Sequence, residues 1–179
     1  MEGASHAVKI VKYRYLELPA ALRVRLDAAA HAEFEQYDIV RETEWSSPDV
    51  TFIALQGEEV VAYYNLVDRV VRIDGVAIRV AGLNNMVTMP AHRGRGLASG
   101  LLRETQPRWF DELSADCGLL LCADALLPFY SRNGWQKLPG PVVYAQPDGL
   151  RTWSANCMVL DPSRRLADAK CVNLCGLPW

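Results

Sequence analysis

The sequence predicts a mixed α/β fold, and three observations support this. Alternating apolar and polar residues, typical of half-buried strands, recur in the first half of the chain. Segments between and after these strands carry apolar residues at helical spacing. The dipeptide Asp74–Gly75 stands between two strand-like runs, which indicates a two-residue β-hairpin. In chain order we expect a strand, a helix, three strands and then a β–loop–helix–β–helix–β arrangement.

The first half of the chain holds most of the predicted strands. Residues 8–15 alternate and predict a first strand, and Pro19 then suits the first turn of a helix. Residues 50–55 and 60–66 flank a short polar turn and predict a hairpin. A longer strand is expected over residues 76–88, directly after Asp74–Gly75.

The second half predicts helices that alternate with short buried strands. A helix is expected over residues 97–113, and Pro107 should kink or split it. Cys117–Gly118 is expected to end this helical region. Further along we predict a buried strand over residues 119–122, a short helix over 125–132 and closing strands over 142–145 and 156–160.

Composition limits the class of protein. A chain of 179 residues predicts one domain, residues 1–179. Lys+Arg is 19 and Asp+Glu is 21, so the net charge of −2 disfavours a nucleic-acid binder held by phosphates. We expect neither a secretory signal nor a membrane span, and therefore a cytoplasmic location. No metal site is expected, because Cys171 and Cys175 lack two further ligands nearby.

Residues 93–98, RGRGLA, follow a predicted strand and open a predicted helix. Glycines allow tight turns, while the free N–H groups and the dipole of a helix start attract an anion. Arg93 and Arg95 add positive charge. We therefore predict a phosphate-binding loop; the alternative is a glycine-rich turn with two solvated arginines. Its spacing matches neither a P-loop nor a dinucleotide-binding motif.

Two motifs together resemble those of the GCN5-related N-acetyltransferase (GNAT) superfamily. Arg93, Gly96 and Ala98 fill the defined positions of the Q/R-x-x-G-x-G/A motif for acetyl-CoA. Downstream, residues 129–135, FYSRNGW, resemble the family's FYxxxGW signature. The resemblance spans residues 50–145 and implies acetyl-CoA as cofactor. It also implies an α/β fold with a mixed, mostly antiparallel sheet, splayed fourth and fifth strands and flanking helices.

The resemblance assigns roles on the donor side. Tyr130 would protonate the departing thiolate, although an aromatic before Gly-Trp also suits a core position. Met86, Val87 and Thr88 would offer backbone groups to pantetheine, with Val87 contacting the thioester carbonyl. The remaining cofactor contacts implied are Arg93, Gly94, Arg95, Gly96, Leu97, Ala98, Ser99 and Tyr130.

A narrower resemblance concerns the acceptor. Residues 42–45, ETEW, are similar to the E-T-D/E-W segment of the aminoglycoside 2′-N-acetyltransferases, and residues 147–152 also look like theirs. Ammonium groups need carboxylates, which the acidic residues 33–44 supply, unless they form a solvated helix face. The implied substrate contacts are Asp38, Glu42, Glu44, Trp45, Asn84, Asn85, Asp148 and Trp179, the last through its carboxylate.

The sequence departs from this family at the general base. Asn84 stands where the family has a glutamate, and an amide does not accept a proton at neutral pH. Either Glu44, Asp38 or the terminal carboxylate serves instead, or a water chain does, or the amine arrives neutral. The departure also favours a less highly charged acceptor, such as kasugamycin.

These observations predict an acetyl-CoA-dependent N-acetyltransferase that acts by direct transfer in a ternary complex. The expected acceptor is an aminoglycoside amine, with antibiotic resistance as the result. Another small-molecule amine, a polyamine or a protein N-terminus is the first alternative, and a non-catalytic CoA-binding domain is the second. The apolar residues 172–179 need cover, for which a homodimer interface is one option.

Overall fold

The computed structural model describes residues 7–179. In that part the strands are β1 (Val8–Arg14), β2 (Val50–Gln56), β3 (Glu59–Ile73), β4 (Val76–Thr88), β5 (Cys117–Cys122), β6 (Gln136–Lys137), β7 (Val142–Gln146), β8 (Gly149–Thr152), β9 (Asn156–Leu160) and β10 (Val172–Asn173). The helices are α1 (Ala20–Phe34), α2 (Asp38–Arg41), α3 (Leu97–Glu112) and α4 (Leu127–Arg132). None of these helices is long and apolar enough to cross a membrane.

The ten described strands join one curled sheet. Its order is β6–β9–β5–β4–β3–β10–β7–β8, and β2 pairs with both β3 and β1 beside this path. Most neighbours are antiparallel, whereas β4 pairs with β5, and β10 with β7, in parallel. The predicted fold class, a mixed and mostly antiparallel sheet with flanking helices, is therefore confirmed.

Strands β4 and β5 separate in the middle of the sheet. Their pairing stops at Leu83 with Leu120, although β4 continues to Thr88 and β5 to Cys122. In the described part of the chain no strand fills the resulting gap. The backbone groups along these two inner edges are thus available to a ligand, and the predicted splay of the fourth and fifth strands is present.

A bulge lies on β4 beside this gap. The register between β3 and β4 shifts between Asn84, paired with Asn65, and Val87, paired with Tyr63. Asn85 lies in the shift and has a left-handed φ of 48°. Bulges bend a strand and re-aim its side chains. This bulge accounts for the change in direction of β4 just past its last pair with β5.

The two faces of the sheet are covered by different elements. On one face α3 and α4 place Trp109, Tyr130 and Trp135 in a shared apolar core. On the other face, Leu26 of α1 packs in a second cluster. A third cluster contains Trp179 and the strands near the C-terminus. Between the second and third clusters, the face around Asn84 is left to polar side chains.

Trp179 packs directly on the backbone of β4. A Cβ atom at Gly82 would lie 2.3 Å from the Trp179 ring, so only glycine permits this approach. The indole N–H donates to the Leu119 carbonyl at 3.3 Å. Arg69 lies 5.5 Å from the ring centroid and donates to the Leu177 carbonyl at 2.7 Å. The end of the described chain is thus fixed against the centre of the sheet.

Gly82→Ala should therefore destabilise the fold by about 1–3 kcal/mol, because the added methyl group forces the Trp179 ring to move. The free energy of unfolding in urea measures this. The matched control is Gly100→Ala in α3, where a Cβ meets nothing within 4 Å. Removing a helical glycine should raise stability by about 0.5–1 kcal/mol. Equal effects of the two substitutions would contradict the packing argument.

Helix α3 differs from its prediction in two places, at Pro107 and at its C-terminal end. Pro107 lies inside α3 without splitting it, and both Pro107 and Arg103 are exposed, so the carbonyl that loses its partner reaches water. Cys117–Gly118 does not end the helix but begins β5. A Cβ at Gly118 would lie 2.9 Å from the Trp135 ring, so packing explains this glycine.

Short or extended strands account for the other differences. β3 runs without interruption to Ile73, so the predicted strand over residues 60–66 and the strand-like run before Asp74 are one element. β6, β8 and β10 have two to four residues each, too few to show a period in sequence. The apolar side chains Val172 and Leu174 are fully buried within the chain itself. These apolar side chains therefore give no reason for a dimer interface.

Candidate active site

The loop between β4 and α3 has the geometry of an anion cradle. Gly94 and Gly96 adopt left-handed φ angles of 73° and 72°, which residues with a Cβ rarely adopt. Gly96 is the N-cap of α3, and its carbonyl accepts the first helical bond from the Gly100 N–H at 2.9 Å. The N–H groups of the first three residues of α3 have no acceptor within the helix. Together with the helix dipole they form a binding site for phosphate.

Charged side chains surround this cradle. Arg93 donates from Nη2 to the Glu33 carboxylate of α1. Arg95 lies with Nη1 3.0 Å from Nδ1 of His92, whose Nε2 is 3.1 Å from a Glu59 carboxylate oxygen. Glu33 therefore partly neutralises Arg93, while His92 holds Arg95 beside the loop.

A cavity of about 530 Å³ extends from the cradle along the end of β4 to α4. Every residue predicted to contact the cofactor lines it except Val87. Its walls are Met86, Thr88, Arg93, Gly94, Arg95, Gly96, Leu97, Ala98, Ser99 and Tyr130, joined by Glu33, His92, Leu126, Phe129 and Arg132. Its volume is in the range of small-molecule sites. Glu33 was predicted on the acceptor side, whereas the structure places it here.

The backbone of Val87 faces β3 rather than the gap. The Met89 N–H donates to the Val61 carbonyl at 2.9 Å, which makes these two residues a hydrogen-bonded pair. The pair of Val87 and Tyr63 lies two residues further along each strand. In antiparallel pairs, bonded and non-bonded positions alternate. The N–H and C=O of Val87 are therefore directed to β3, and its side chain is buried. The predicted contact between Val87 and a thioester carbonyl does not fit this register.

Thr88 has the opposite orientation. By the same alternation its backbone groups point away from β3, into the gap, whereas Met86 lies in the register shift, where the alternation is interrupted. The Thr88 carbonyl accepts a hydrogen bond from Arg93 Nε at 3.3 Å, which agrees with that direction. Both residues also line the cavity. Thr88 therefore takes the position predicted for Val87.

Tyr130 closes the cavity from the side of α4. Its own carbonyl accepts from the N–H groups of Asn133, at 2.9 Å, and Trp135, at 3.1 Å. Asn133 in turn donates from Nδ2 to the Ser99 hydroxyl at 3.1 Å, which ties α4 to the cradle. Burial raises the pKa of the Tyr130 hydroxyl well above its usual value. The hydroxyl therefore stays protonated at neutral pH and can donate a proton.

Cys122 ends β5 close to Tyr130. Burial, with a smaller contribution from Asp124, raises the pKa of the Cys122 thiol to about 11. A thiol with this pKa is neutral at physiological pH, and only a thiolate is an effective nucleophile. The structure therefore favours direct transfer over a route through an acetylated cysteine.

Asn84 faces the side of the sheet opposite α3. Residues two apart on a strand share a face, so the Asn84 side chain lies on the face where Trp179 covers Gly82. Asn84 and Asn85 are both half-buried. The indole of Trp179 is in the core, with 3% of the residue exposed. The side chain of Trp179 therefore takes no part in the predicted contact with an acceptor.

Three distant segments meet beside this face. The Ser46 N–H donates to the Pro178 carbonyl at 2.8 Å. The Glu44 N–H donates to Gln146 Oε1, and Gln146 Nε2 donates to the Glu44 carbonyl, each at 2.9 Å. We call residues 44–46, Gln146 and residues 177–179 the tail wall. Through Trp179 the tail wall adjoins Asn84, so the structure brings several predicted acceptor residues to one side of the gap.

The predicted acceptor carboxylates differ in their partners. Asp38 forms an ion pair with Arg41. Asp148 pairs with Arg151 at 2.8 Å, and this hydrogen bond lowers the pKa of Asp148. Within residues 7–179 Glu42 and Glu44 form no ion pair, and both are exposed. Both glutamates are therefore free of a direct ion pair, although Glu42 is near enough to Arg151 to add to the effect by which Asp148 raises the pKa of that arginine.

Two further residues lie next to these glutamates. Trp45, a predicted contact, donates from Nε1 to the Val40 carbonyl at 3.1 Å and packs edge-on against Trp153, with centroids 6.1 Å apart. Thr43 is 7% exposed, and its hydroxyl has no hydrogen-bond partner in the described part of the chain. Sequence reasoning missed Thr43 because its unsatisfied hydroxyl is visible only in three dimensions.

A second cavity of about 650 Å³ adjoins the first and shares Ser99 and Arg132 with it. Arg103, Gln106 and Phe110 of α3 line it. The Gln106 Nε2 atom is buried and has no hydrogen-bond partner among the described residues. Sequence reasoning missed this cavity because exposed residues of a helix usually have no ligand.

The gap thus has a phosphate-binding cradle on one side and the tail wall on the other, and the buried Tyr130 hydroxyl lies beside the cradle. This arrangement suits an acyltransferase. Residues 17–138, more than half of the chain, match the family model described as an acetyltransferase (GNAT) domain. The chain belongs to the GNAT acetyltransferases. The GNAT fold binds acetyl-CoA, the donor expected from the sequence.

Solved structures show the same fold at low sequence identity. ElaA from Escherichia coli has 16% identity and a TM-score of 0.62, over 87% of this chain and 100% of its own. An acyl-CoA N-acyltransferase from Pseudomonas aeruginosa has 21% identity and a TM-score of 0.59, over 86% and 99%. YhbS from Escherichia coli, a GNAT N-acetyltransferase in complex with CoA, has 17% identity and a TM-score of 0.54, over 94% of this chain and 91% of its own. No curated protein matches the sequence.

Proposed function

We propose that the chain acetylates an amine of an aminoglycoside-type antibiotic, with acetyl-CoA as donor and direct transfer in a ternary complex. The observation that carries this is the two-sided gap between β4 and β5. One side holds the phosphate cradle, and the other holds Asn84 and the open carboxylates of Glu42 and Glu44. Acetylation removes a positive charge from such an antibiotic, and resistance would follow.

On the donor side the residues present fit acetyl-CoA. The cradle of Gly94 and Gly96 would hold its pyrophosphate, and the backbone of Thr88 would bind its pantetheine. Arg103 and Arg132 place positive charge on the second cavity, which suits the phosphate at the nucleotide end.

Arg103→Gln should therefore weaken the binding of CoA by about three- to tenfold, because one charged phosphate contact is lost at an exposed position. Dephospho-CoA, which lacks the 3′-phosphate, should bind wild type and variant alike. Isothermal titration of both ligands measures this. The control is Arg23→Gln on α1, outside both cavities. An equal loss of affinity for CoA and for dephospho-CoA would show that Arg103 does not contact the 3′-phosphate.

Acetyl-CoA supplies an acetyl group activated as a thioester. The Thr88 N–H is directed into the gap and would donate to the carbonyl oxygen as negative charge develops there. The Tyr130 hydroxyl, kept protonated by burial, would give its proton to the leaving sulfur. Glu44 is the open carboxylate of the tail wall and is our candidate to receive the amine proton, with Asn84 orienting the acceptor.

On the acceptor side we assign recognition to exposed carboxylates. Ammonium groups of the acceptor would form charge-assisted hydrogen bonds with the exposed carboxylates of Glu42 and Glu44. Asp38 and Asp148 already pair with arginines and would contribute less. Two open glutamates rather than a continuous acidic surface support an acceptor with few amines, such as kasugamycin, acetylated at its 2′-amine.

Thiol release from acetyl-CoA with a panel of amines tests this proposal. We expect higher kcat/KM for kasugamycin and other 2′-amino aminoglycosides than for spermidine or a peptide N-terminus, and mass spectrometry and NMR should locate the acetyl group at the 2′-amine. Glu44→Gln should lower the acceptor kcat/KM at least tenfold, since both a charged hydrogen bond and the proposed proton acceptor are lost. Glu35→Gln, directly after α1 and with His31 as its partner, is the control. A higher kcat/KM for spermidine or for the peptide than for the aminoglycosides would contradict the proposed acceptor.

We also infer a cytoplasmic location. All five cysteines are free thiols, including the exposed Cys171 and Cys175. Exposed thiols persist in reducing compartments, where disulfides are rare. Acetyl-CoA is expected in the same compartment as the enzyme that uses it.

A further inference from the structure

A row of three polar side chains crosses the sheet where β4 leaves β5. Thr51 on β2 stands opposite Asn65 on β3, and Asn65 stands opposite Asn84 on β4. Directly opposed residues of antiparallel strands project on the same face, with Cβ atoms about 5 Å apart. Thr51 is 0% and Asn65 is 4% exposed, whereas Asn84 is half-buried at the gap. The row therefore runs from the interior of the sheet to the acceptor face.

This row is polar among apolar neighbours. Ile53 and Tyr63 share its face and belong to the apolar cluster under α1, and Val67 belongs to the cluster under Trp179. Burying a hydroxyl and an amide is unfavourable unless they bond to each other, and apolar side chains would fill the same positions. The sheet itself does not require Thr51 and Asn65 to be polar, so a role at the gap accounts for them.

The hydrogen bond within the row has a direction. The Thr51 hydroxyl donates to Asn65 Oδ1 at 2.8 Å. The oxygen and nitrogen of a side-chain amide lie on opposite sides of its Cγ atom. With Oδ1 turned to β2, the Nδ2 of Asn65 is turned to β4, where Asn84 stands directly opposite. The row thus presents a donor to the Asn84 side chain.

We propose that Thr51 and Asn65 form a directional relay that orients Asn84 for one class of acceptor. The second link of the relay would be a hydrogen bond from Asn65 Nδ2 to Asn84 Oδ1, formed across the register that sets the two residues opposite each other, and it would leave Asn84 Nδ2 directed to the acceptor. An N–H donor there selects amines that carry an oxygen on the neighbouring carbon, such as amino alcohols and 2-amino sugars. That oxygen accepts the hydrogen bond, and the lone pair of the amine nitrogen stays free to attack. Asn84 is then a specificity-determining residue, and Thr51 and Asn65 are positioning residues.

This inference rests on the proposed N-acetyltransferase activity and adds a chemical class of acceptor to it. A carboxylate at position 84 would present oxygen instead of N–H and would favour an ammonium group directly. Asn84→Asp should therefore shift the preference towards amines without the neighbouring oxygen, while its similar size preserves packing in the row.

A matched pair of acceptors tests the relay, namely trans-2-aminocyclohexanol and cyclohexylamine. We expect kcat/KM, expressed per free amine, to be at least tenfold higher for the amino alcohol in the wild type. Thr51→Val keeps the shape but removes the donor, so this ratio should fall towards one while KM for acetyl-CoA stays unchanged. Thr51→Ser restores the donor and should restore the ratio. Thr105→Val removes an equally buried hydroxyl from α3 and should leave the ratio unchanged.

The pattern of rates across the two amines distinguishes a relay from a purely structural row. A structural role for Thr51 would lower the rates for both amines in parallel and leave their ratio intact, which overturns the relay. Equal kcat/KM values for the two amines in the wild type would also overturn it. A shift of the ratio in Asn84→Asp towards cyclohexylamine supports the relay without depending on the fold of Thr51→Val. Acetylation of the amino alcohol but of no aminoglycoside would refute the proposed acceptor while the relay stands.

Discussion

Replacing Tyr130 with Phe should lower kcat by about 10²–10⁴-fold and leave the KM for acetyl-CoA within about twofold. The ring of Tyr130 packs against Phe129 and Trp135, with centroids 5.0 Å and 6.0 Å apart, and these contacts survive in the variant. Only the hydroxyl, our proposed donor to the leaving sulfur, is lost. Steady-state thiol release with a fixed acceptor measures both constants.

Tyr64→Phe is the matched control for this substitution. The Tyr64 hydroxyl is also buried, but it contacts Thr105 and Trp109 on the side of α3, away from the cavity. We expect lower stability and unchanged kcat for the control. Unchanged kcat in Tyr130→Phe would instead assign Tyr130 to the core alone.

The pH dependence follows from the same hydroxyl. Burial raises the pKa of Tyr130, so the proton donor is present at low and neutral pH and is lost only as pH rises through that raised value. With an ordinary tyrosine pKa of about 10, kcat should show no decline from this group up to about pH 9. A decline in kcat near pH 7 that disappears in Tyr130→Phe would contradict the assignment.

Gly96→Ala should weaken CoA binding by about 10- to 100-fold. Alanine at a left-handed φ is strained by about 1–2 kcal/mol, and relief of that strain moves the N–H groups that begin α3. The phosphate would lose several aligned donors at once. Titration calorimetry with CoA measures the Kd, and urea unfolding measures the loss of stability.

Gly75→Ala is the control for backbone strain. Gly75 has a φ of 82° in the β3–β4 turn, and a Cβ there meets nothing within 4 Å, as at Gly96. Both variants should lose a similar free energy of unfolding, and only Gly96→Ala should lose CoA affinity. Similar CoA affinity in the two variants would contradict the proposal that the cradle binds the phosphate of CoA.

The donor side of the site could be predicted from sequence because its chemistry is local. A strand, two glycines and a helix start lie within residues 84–98, and the backbone makes the cradle whichever side chains surround it. The contact at Val87 could not be predicted in this way. The bulge at Asn85 adds one residue to β4 and so decides which backbone groups face the gap.

The acceptor side could be predicted only as a set of residue types. Arg41 and Arg151 each lie three residues after the carboxylate that they pair with, but such spacing leads to an ion pair only when the local backbone brings the two side chains together. The row from Thr51 to Asn84 depends on the register of three strands. Register follows from turns and bulges, which a single sequence specifies weakly.

The tail wall also has a consequence for the order in which the molecule assembles. Ser46 bonds to Leu177 across 131 positions of the chain, whereas the cradle and Tyr130 come from one contiguous stretch of less than 50 residues. Contacts between distant positions form late because closing a long loop is entropically unfavourable. A folding chain should therefore form the cradle before the tail wall, and amide exchange should open the tail wall first.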